Sequence, residues 1–262
     1  MTARHSRWDR TWVDRSSAPA RGGGARPLGG PAPWARYFGS LGSRYDDVAF
    51  AGASLHNLAV GETELVRRVL GHGPAGALLD VGAGTGRFTS LAVDAGWRVT
   101  AFDAAPEMLA IIADRHPMVT TVEGQLGEVL PFPDSAFDAV VAMRVVKYVA
   151  DIEGAIAELA RVVAPGGSVV FDLANGRSLA RFGYPRNSVS FATPAAVPEL
   201  LERAGLHAVA TIPGPRLPHP LYRRFRGPES ARALARAERL LASVLDRETA
   251  ARSLLVHAVR GR

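Results

Sequence analysis

The 262-residue chain is 47% apolar, carries a net charge of +6 and contains no cysteine. This size and composition fit one domain with a large apolar core and some added segments. The lack of cysteine excludes disulfides, thiolate zinc sites and cysteine nucleophiles, and we expect no metal site. We expect a cytoplasmic protein without membrane contact, because no apolar run reaches the roughly 18 residues of a membrane span and the first residues lack the apolar stretch of a secretory signal.

The first 35 residues are rich in Arg, Gly, Pro and Ser. This composition predicts a disordered basic segment over 1–35, followed by a single folded domain over 36–262. Charge is distributed unevenly along the chain. Residues 1–44 carry a net charge of +6, residues 45–212 of −7 and residues 213–252 of +5. A nucleic-acid enzyme more often has a basic stripe on its core, so the acidic core disfavours a nucleic-acid partner.

Strands and helices are predicted to alternate along the folded part. Apolar residues at helical spacing predict a helix over 54–70. Strands are predicted near 77–81, 98–102, 118–122, 137–142, 167–173, 206–211 and 253–260, and helices near 86–95, 106–114, 152–163 and 194–204. This alternation predicts an α/β fold with a parallel, doubly wound sheet and helices on both faces. Before the last strand, a Pro-rich loop and a helix near 229–247 form an insert over 213–252, which we interpret as a lid.

The run 78–88 combines an apolar strand, a turn with three glycines and the start of a helix. Gly82, Gly84 and Gly86 allow a tight backbone path and the close approach of a ligand, which a Cβ would block. The N-terminus of the helix directs free N–H groups at that ligand. Asp103 ends the next strand, where a carboxylate can accept hydrogen bonds from both hydroxyls of a ribose. The pattern predicts a site for a nucleoside cofactor.

Two features favour S-adenosylmethionine over a dinucleotide such as NAD. Arg87 occupies the position of the third glycine in the dinucleotide pattern G-x-G-x-x-G. Asp80, at the end of the strand, would repel a pyrophosphate, but it would attract a cofactor that has an amino group and a cationic sulfonium.

Further segments of the chain are similar to those of one known family. Residues 124–141 resemble an adenine-binding loop and a fourth strand, residues 162–170 a helix, turn and fifth strand, and residues 191–206 a helix that leads into a sixth strand. With the glycine turn, they make residues 43–210 and the last strand resemble the class I S-adenosylmethionine-dependent methyltransferases. The resemblance implies a Rossmann-like sheet of seven strands whose last strand is antiparallel, with N-terminal helices and an insert before that strand.

The resemblance also implies which residues bind S-adenosyl-L-methionine. Asp80 and the glycine turn would hold its methionine part, and Asp103 would hold its ribose. Ala104 and Met108 would flank the adenine. Core packing is the alternative role for Met108, and a helix cap is the alternative role for Asp103.

Other members of the cofactor set are assigned on the same basis. Tyr45 would cover the cofactor, and the amide of Gln125, which stands where the family usually has an acid, offers the adenine both a donor and an acceptor. The full set is Tyr45, Asp80, Gly82, Ala83, Gly84, Gly86, Asp103, Ala104, Met108, Gln125, Leu126 and Met143.

Candidate residues on the acceptor side are Lys147, Tyr148 and His56 for catalysis and Arg144 for binding. Lys147, the only lysine of the chain, would act as a base only if burial lowered its pKa. His56 is the alternative base, and Arg144 would bind a substrate carboxylate through two hydrogen bonds. Three further residues are expected to line the acceptor pocket, namely Tyr184, His219 and Tyr222. Ordinary surface or ion-pair roles remain the alternatives for Lys147, His56 and Arg144.

These observations predict a methyltransferase that methylates an oxygen or nitrogen atom of a small-molecule acceptor by in-line displacement. Two alternatives stay open: a cofactor-binding relative that catalyses another reaction or none, and a nucleic-acid methyltransferase. The second is disfavoured because no sequence similar to Asn/Asp-Pro-Pro-Tyr follows the predicted fourth strand. The sequence leaves the acceptor and the oligomeric state open.

Overall fold

The computed structural model of the protein describes residues 33–46, 53–71, 76–178, 181, 189–217, 219–225, 227–245 and 250–262. The strands are β1 (Ala77–Val81), β2 (Arg98–Asp103), β3 (Thr120–Glu123), β4 (Phe137–Ala142), β5 (Val163–Ala174), β6 (Leu206–Pro213) and β7 (Ser253–Arg260). The α-helices are α1 (Pro33–Leu41), α2 (Ala53–Leu70), α3 (Arg87–Asp94), α4 (Pro106–Arg115), α5 (Ile152–Val162), α6 (Val197–Arg203), α7 (His219–Arg224) and α8 (Pro228–Val244). None of the helices in these ranges combines the length and the apolar character that crossing a lipid bilayer requires.

The seven strands form one sheet in the order β3-β2-β1-β4-β5-β7-β6. Strands β1 to β5 pair in parallel, and β7 runs antiparallel to both of its neighbours, β5 and β6. This arrangement confirms the predicted Rossmann-like fold with an antiparallel last strand. The carboxyl ends of β1, β2 and β4 lie side by side at one edge, which is where open α/β sheets bind ligands.

The strand residues alternate between two apolar layers, one on each face of the sheet. Leu79 of β1 belongs to one layer and Leu78 to the other, and Val140 and Val141 of β4 alternate in the same way. Because helices cover both faces, residues that point in opposite directions are buried in the central strands β1 and β4. This is why the strands have continuous apolar runs in the sequence.

Helix starts follow from local sequence. α4 begins at Pro106, where the missing N–H needs no partner, and Asp151 caps α5 by accepting a hydrogen bond from the Gly154 N–H at 2.9 Å. The helix predicted near 194–204 begins as a short 3₁₀ turn and becomes α-helical only at α6. Pro198 explains the difference, because it has no N–H to donate to the carbonyl four residues earlier.

The start of β5 differs from the prediction. We expected a turn before a strand at 167, but Val163 already pairs with Phe137 of β4. The pairing then shifts before Ser168 pairs with Ala139, and Gly166 in between has a φ of +79°. The Pro-Gly-Gly sequence is therefore an irregularity inside the strand, since glycine accommodates the left-handed backbone there.

The N-terminal boundary of the folded part also differs from the prediction. α1 begins at Pro33, and Trp34 is buried with 7% of its surface exposed. α1 packs on α4. Residues 33–35 therefore belong to the fold and not to the segment predicted as disordered, of which residues 1–32 lie outside the described residues.

The insert begins later than predicted, because β6 extends to Pro213. Its two helices, α7 and α8, both pack against α2. The ends of the insert lie together: the Gly214 N–H donates to the Ser253 carbonyl at 2.8 Å, and the Arg252 N–H donates to the Pro215 carbonyl at 2.7 Å. These bonds continue the pairing of β6 with β7 into the insert.

Candidate cofactor and acceptor site

The glycine turn joins β1 to α3 and is anchored to β2. The N–H groups of Gly82 and Ala83 both donate to the carbonyl of Phe102, at 2.7 and 3.2 Å. Gly82, Gly84 and Gly86 have φ angles of +68°, +55° and +86°. These left-handed conformations explain why the turn requires glycine at each of the three positions.

The three glycines face different surroundings. A Cβ on Gly82 would lie 2.6 Å from the Val145 Cβ, and one on Gly86 would lie 2.8 Å from the Ile112 Cγ1. A Cβ on Gly84 would meet no atom within 4 Å. Gly82 and Gly86 thus permit close packing within the protein, whereas Gly84 leaves open space at the edge of the sheet where a ligand is expected.

Asp103 connects the end of β2 to the glycine turn and to the start of α4. Its Oδ2 accepts from the Gly84 N–H at 2.8 Å, and its Oδ1 accepts from the Ala105 N–H at 2.9 Å. Burial raises the pKa of Asp103, and the backbone N–H bonds oppose this effect. The N-cap of α4 is Ala105, which has no side-chain cap bond, so Asp103 does not take the alternative role of a helix cap. Each oxygen can accept a second hydrogen bond, so binding of a ribose stays a prediction.

Asp80 is a buried carboxylate at the end of β1. It is 1% exposed, and its Oδ2 accepts from the Thr89 hydroxyl at 2.6 Å. Burial raises the pKa of Asp80 to about 7, and the nearby charge of Asp103 adds to the shift. A cation placed at this carboxylate would favour its ionised form, since opposite charges attract strongly away from water.

Aromatic rings of α1 and the segment after it lie next to the residues that follow β4. Phe38 contacts the ring of Tyr45 at a centroid distance of 5.7 Å and that of Tyr148 at 5.6 Å. Asp46 accepts a hydrogen bond from the hydroxyl of Thr85 in the glycine turn, at 2.7 Å. The segment with Tyr45 is thus attached to the turn, which agrees with a role in covering the cofactor.

Arg144 lies beside the turn but is bound to another side chain. Its Nε lies 3.0 Å from both carboxylate oxygens of Glu62, and Arg87 donates to the same carboxylate at 3.0 Å. Burial opposes the charge of Arg144, but Glu62 outweighs this effect and keeps the pKa of Arg144 above its ordinary value. In this structure Glu62 binds the Nε of Arg144, and the expected contact of Arg144 with a substrate carboxylate stays a prediction.

Lys147 follows β4, and Asp172 lies near it in the neighbouring strand β5. Asp172, near the end of β5, is 4% exposed and accepts from the Arg144 N–H. Burial raises the pKa of Asp172, and the positive charge of Lys147 opposes the shift. The Lys147 ammonium also lies 5.3 Å from the ring centre of Tyr148. The two residues predicted for catalysis after β4 are therefore neighbours, and Asp172 joins them.

The residues predicted around the adenine are buried to different degrees. Met108, Met143 and Leu126 are at most 4% exposed, whereas Ala104 and Gln125 are partly exposed. Burial of Met108 agrees with core packing as well as with adenine contact, so their cofactor roles stay predictions.

Of the residues predicted to contact the acceptor, Tyr222 is buried, and three others lie wholly or in their side chains outside the described residues. The side chains of His56 and His219, and all of Tyr184, lie outside the described residues. Tyr222 is 3% exposed, and its hydroxyl donates to Glu238 of α8. The expectation that Tyr222 reaches a substrate is corrected, because this bond holds the two helices of the insert together.

Glu62, Asp172 and Asp46 lie at this edge of the sheet, although no sequence pattern marked them as site residues. Glu62 lies on a helix with the charged neighbours Glu64 and Arg68, and nothing local distinguishes it from them. Asp172 offered one signal, since an acid within the apolar strand β5 requires a partner.

The groups at this edge fit S-adenosylmethionine better than a dinucleotide. The two carboxylates, Asp80 and Asp103, suit an ammonium group and a ribose diol, and the open space at Gly84 lies between strand and helix. A pyrophosphate in the same place would face both carboxylates.

Comparisons with known proteins agree with this geometry. A family model described as "Methyltransferase domain" matches residues 79–171. The malonyl-[acyl-carrier protein] O-methyltransferase of Serratia marcescens is 37% identical over 136 residues, or 51% of this chain and 53% of that protein. The demethylmenaquinone methyltransferase of Tropheryma whipplei (strain Twist) is 35% identical over 125 residues, or 47% of this chain and 48% of that protein. The chain spans about half the length of these curated relatives.

Two solved structures share the fold over most of the chain. The [4+2]-cyclase SpnF aligns with a TM-score of 0.65 and 22% identity, and the alignment covers 87% of this chain and 95% of SpnF. The 1,6-didemethyltoxoflavin-N1-methyltransferase of Burkholderia thailandensis, solved with S-adenosylhomocysteine, aligns with a TM-score of 0.57 and 18% identity, covering 90% of this chain and 93% of that one. Fold, glycine turn and sequence matches agree: residues 79–171 are similar to a methyltransferase domain, and the chain has the Rossmann-like fold of the two solved structures.

Proposed function

We propose that the protein transfers a methyl group from S-adenosyl-L-methionine to an oxygen or nitrogen atom of a small-molecule acceptor in the cytoplasm. The observation that carries the proposal is the glycine turn between two carboxylates, the buried Asp80 and the partly buried Asp103, with open space at Gly84. The names of the two curated relatives support methyl transfer as the reaction type.

Residues of this chain would hold and orient the cofactor. S-adenosylmethionine supplies an electrophilic methyl group when it is bound. Asp80 offers its carboxylate to an ammonium group, and Asp103 offers its remaining acceptor positions to a ribose. Catalysis then depends mainly on alignment of the two reactants and exclusion of water, and the aromatic side chains of Phe38, Tyr45 and Tyr148 are suited to exclude water from this edge.

A side chain near the acceptor would take up its proton where the acceptor is a hydroxyl. Such an acceptor must lose its proton, whereas a neutral amine needs less help. Lys147 stays our candidate base, with Tyr148 beside it. The nearby carboxylate of Asp172 favours the charged form of Lys147 and so opposes this role. His56 stays the alternative base.

A second function with the same cofactor is favoured by one observation. SpnF is a [4+2]-cyclase with this fold, so the same architecture can also support a reaction other than methyl transfer. The alternatives are therefore a cofactor-binding protein with another reaction and a nucleic-acid methyltransferase.

Titration calorimetry with S-adenosylmethionine, S-adenosylhomocysteine and NAD tests the cofactor assignment. We expect micromolar binding of the first two and no comparable binding of NAD. Asp103→Ala should weaken binding by about 1–3 kcal/mol, the typical effect of removing a charged hydrogen-bond partner. Asp94→Ala, at the exposed end of α3, is the control and should bind as the wild type does. Binding of NAD alone would contradict the proposal.

A screen of cell metabolites with cofactor labelled in its methyl group tests the reaction. Transfer of label to a small molecule supports the proposal. Transfer to nucleic acid supports the nucleic-acid alternative, and cofactor binding without label transfer to any acceptor supports a different reaction.

A further inference from the structure

We propose that Glu62 is a positioning residue for the cofactor: its carboxylate fixes both ends of the glycine turn through Arg87 and Arg144. The inference rests on the proposed function, because it concerns the same cofactor site.

Glu62 lies in α2, and its side chain is 12% exposed. Its Oε2 accepts from the Arg87 Nη1 at 3.0 Å, and both of its oxygens lie 3.0 Å from the Arg144 Nε. The adjacent Thr63 hydroxyl accepts from the Arg87 Nη2. Although burial opposes its charge, the two arginines outweigh this effect and hold the pKa of Glu62 below its ordinary value. Glu62 is therefore a charged group at neutral pH with both oxygens engaged.

One of its partners fixes the C-terminal end of the turn. Arg87 is the first residue of α3 and follows Gly86, whose backbone is left-handed with a φ of +86°. The free N–H groups of a helix N-terminus are the groups that face a bound ligand. Since Arg87 is held through its guanidinium, the start of α3 is held in place relative to α2.

The other partner fixes the N-terminal end of the turn. Arg144 has a φ of +63°, which is unusual for a residue with a Cβ. Such a conformation persists where the surroundings hold it, and here Glu62 binds the side chain while Asp172 accepts from the N–H. The next residue, Val145, lies against Gly82, where a Cβ would come within 2.6 Å of it. Displacement of Arg144 would therefore move the side chain on which Gly82 packs.

Glu62→Gln tests the inference, and Glu64→Gln is the matched control. Glu64 lies two residues further along α2, is exposed, and pairs with Arg68 at 3.4 Å. Affinities for S-adenosylhomocysteine and for adenosine, which lacks the methionine part, are measured by calorimetry well below the melting temperature. We expect Glu62→Gln to weaken S-adenosylhomocysteine binding about tenfold or more, the scale of a small misplacement in a binding site. Adenosine, held at Asp103, should lose much less, and Glu64→Gln should change neither affinity.

The pair of ligands separates positioning from folding. Equal losses for the two ligands would show that Glu62 only stabilises the fold, and unchanged binding of S-adenosylhomocysteine would also overturn the inference. If Glu62→Gln does not fold, Glu62→Asp, which keeps the charge on a shorter side chain, provides the same comparison. Failure of the wild type to bind S-adenosylhomocysteine would instead contradict the proposed function, independently of Glu62.

Discussion

The rings of Trp34 and Tyr148 are in tilted contact, with their centres 4.7 Å apart and their planes at 42°. This contact joins the first helix of the described chain to the 3₁₀ turn that follows β4. Because Tyr148 is next to Lys147, the contact connects α1 to the residues after β4 that we propose for catalysis.

Trp34→Ala should lower the free energy of unfolding by about 3–5 kcal/mol, the usual cost of truncating a buried tryptophan. Trp34→Phe keeps a ring against Tyr148 and should cost less. Deletion of residues 1–32 should change stability little, because their composition lacks the apolar pattern of a packed segment. Denaturant unfolding compares the three proteins. A deletion as costly as Trp34→Ala would show that residues before Pro33 contribute to the core.

Gly84→Ala should mainly weaken ligand binding, whereas Gly82→Ala should mainly lower stability. A Cβ at Gly84 meets no protein atom, so Gly84→Ala should fold with a loss of about 1–2 kcal/mol from its left-handed backbone. Its binding of S-adenosylhomocysteine should fall sharply, because the new methyl occupies ligand space. Gly82→Ala would overlap Val145 and should lower the melting temperature far more. Melting curves and calorimetry on both variants check this, and unimpaired binding by Gly84→Ala would place the ligand elsewhere.

Asp80 should make the cofactor-free protein less stable as pH rises. Its pKa is raised to about 7 in the fold, so its contribution to stability is complete below its ordinary pKa and is lost as pH rises through about 7. Asp80→Asn keeps an acceptor for Thr89 but does not titrate. Between about pH 5 and pH 8, the wild type should therefore lose about 2 kcal/mol relative to Asp80→Asn. Unfolding free energies of both proteins at the two pH values measure this difference, and parallel curves would contradict it.

The same carboxylate should link cofactor affinity to pH. An ammonium group at Asp80 favours the ionised form, so binding of S-adenosylhomocysteine should strengthen as pH rises from about 6 to about 7.5 in the wild type. The affinity of Asp80→Asn for S-adenosylhomocysteine should depend less on pH. Adenosine, which has no ammonium group, serves as the control ligand, and an equal pH dependence for both ligands would argue against this contact.

Tyr222→Phe should lower stability by about 1.5–3 kcal/mol, since its hydroxyl donates to the charged Glu238. Cofactor affinity should not change, because this bond lies inside the insert. Arg236→Ala, on the exposed side of α8, should stay within about 0.5 kcal/mol of the wild type. Once an acceptor is known, a large change in turnover for Tyr222→Phe without loss of stability would restore the acceptor role that we first assigned to it.

The strands and the glycine turn were predictable because their signals are local. The apolar run before Gly82 and the acid at Asp103 lie within one β–α–β unit, and the structure places both at the predicted sheet edge. Within the insert, helix α8 was predicted, whereas α7 occupies part of the segment that was expected to be a Pro-rich loop.

Contacts between distant segments were not predictable in the same way. Glu62 meets Arg144, and Asp46 meets Thr85, only because the fold brings α2 and the N-terminal segment onto the carboxyl ends of the strands. The burial of Trp34 depends on Tyr148 in the same manner. Hydrophobic periodicity does not predict such pairs, because the sequence separation between the partners depends on the topology of the fold and not on helix or strand geometry.

The hydrogen bonds that close the insert at Gly214 and Arg252 make it exchangeable. Its two ends meet in an extension of the β6–β7 ladder, so the segment between them can be shortened or replaced without a change in strand register. Closure of a surface loop of altered length costs little free energy when its ends are already fixed side by side. Exchange of this segment between relatives would therefore test whether the insert contributes to acceptor preference while the sheet stays unchanged.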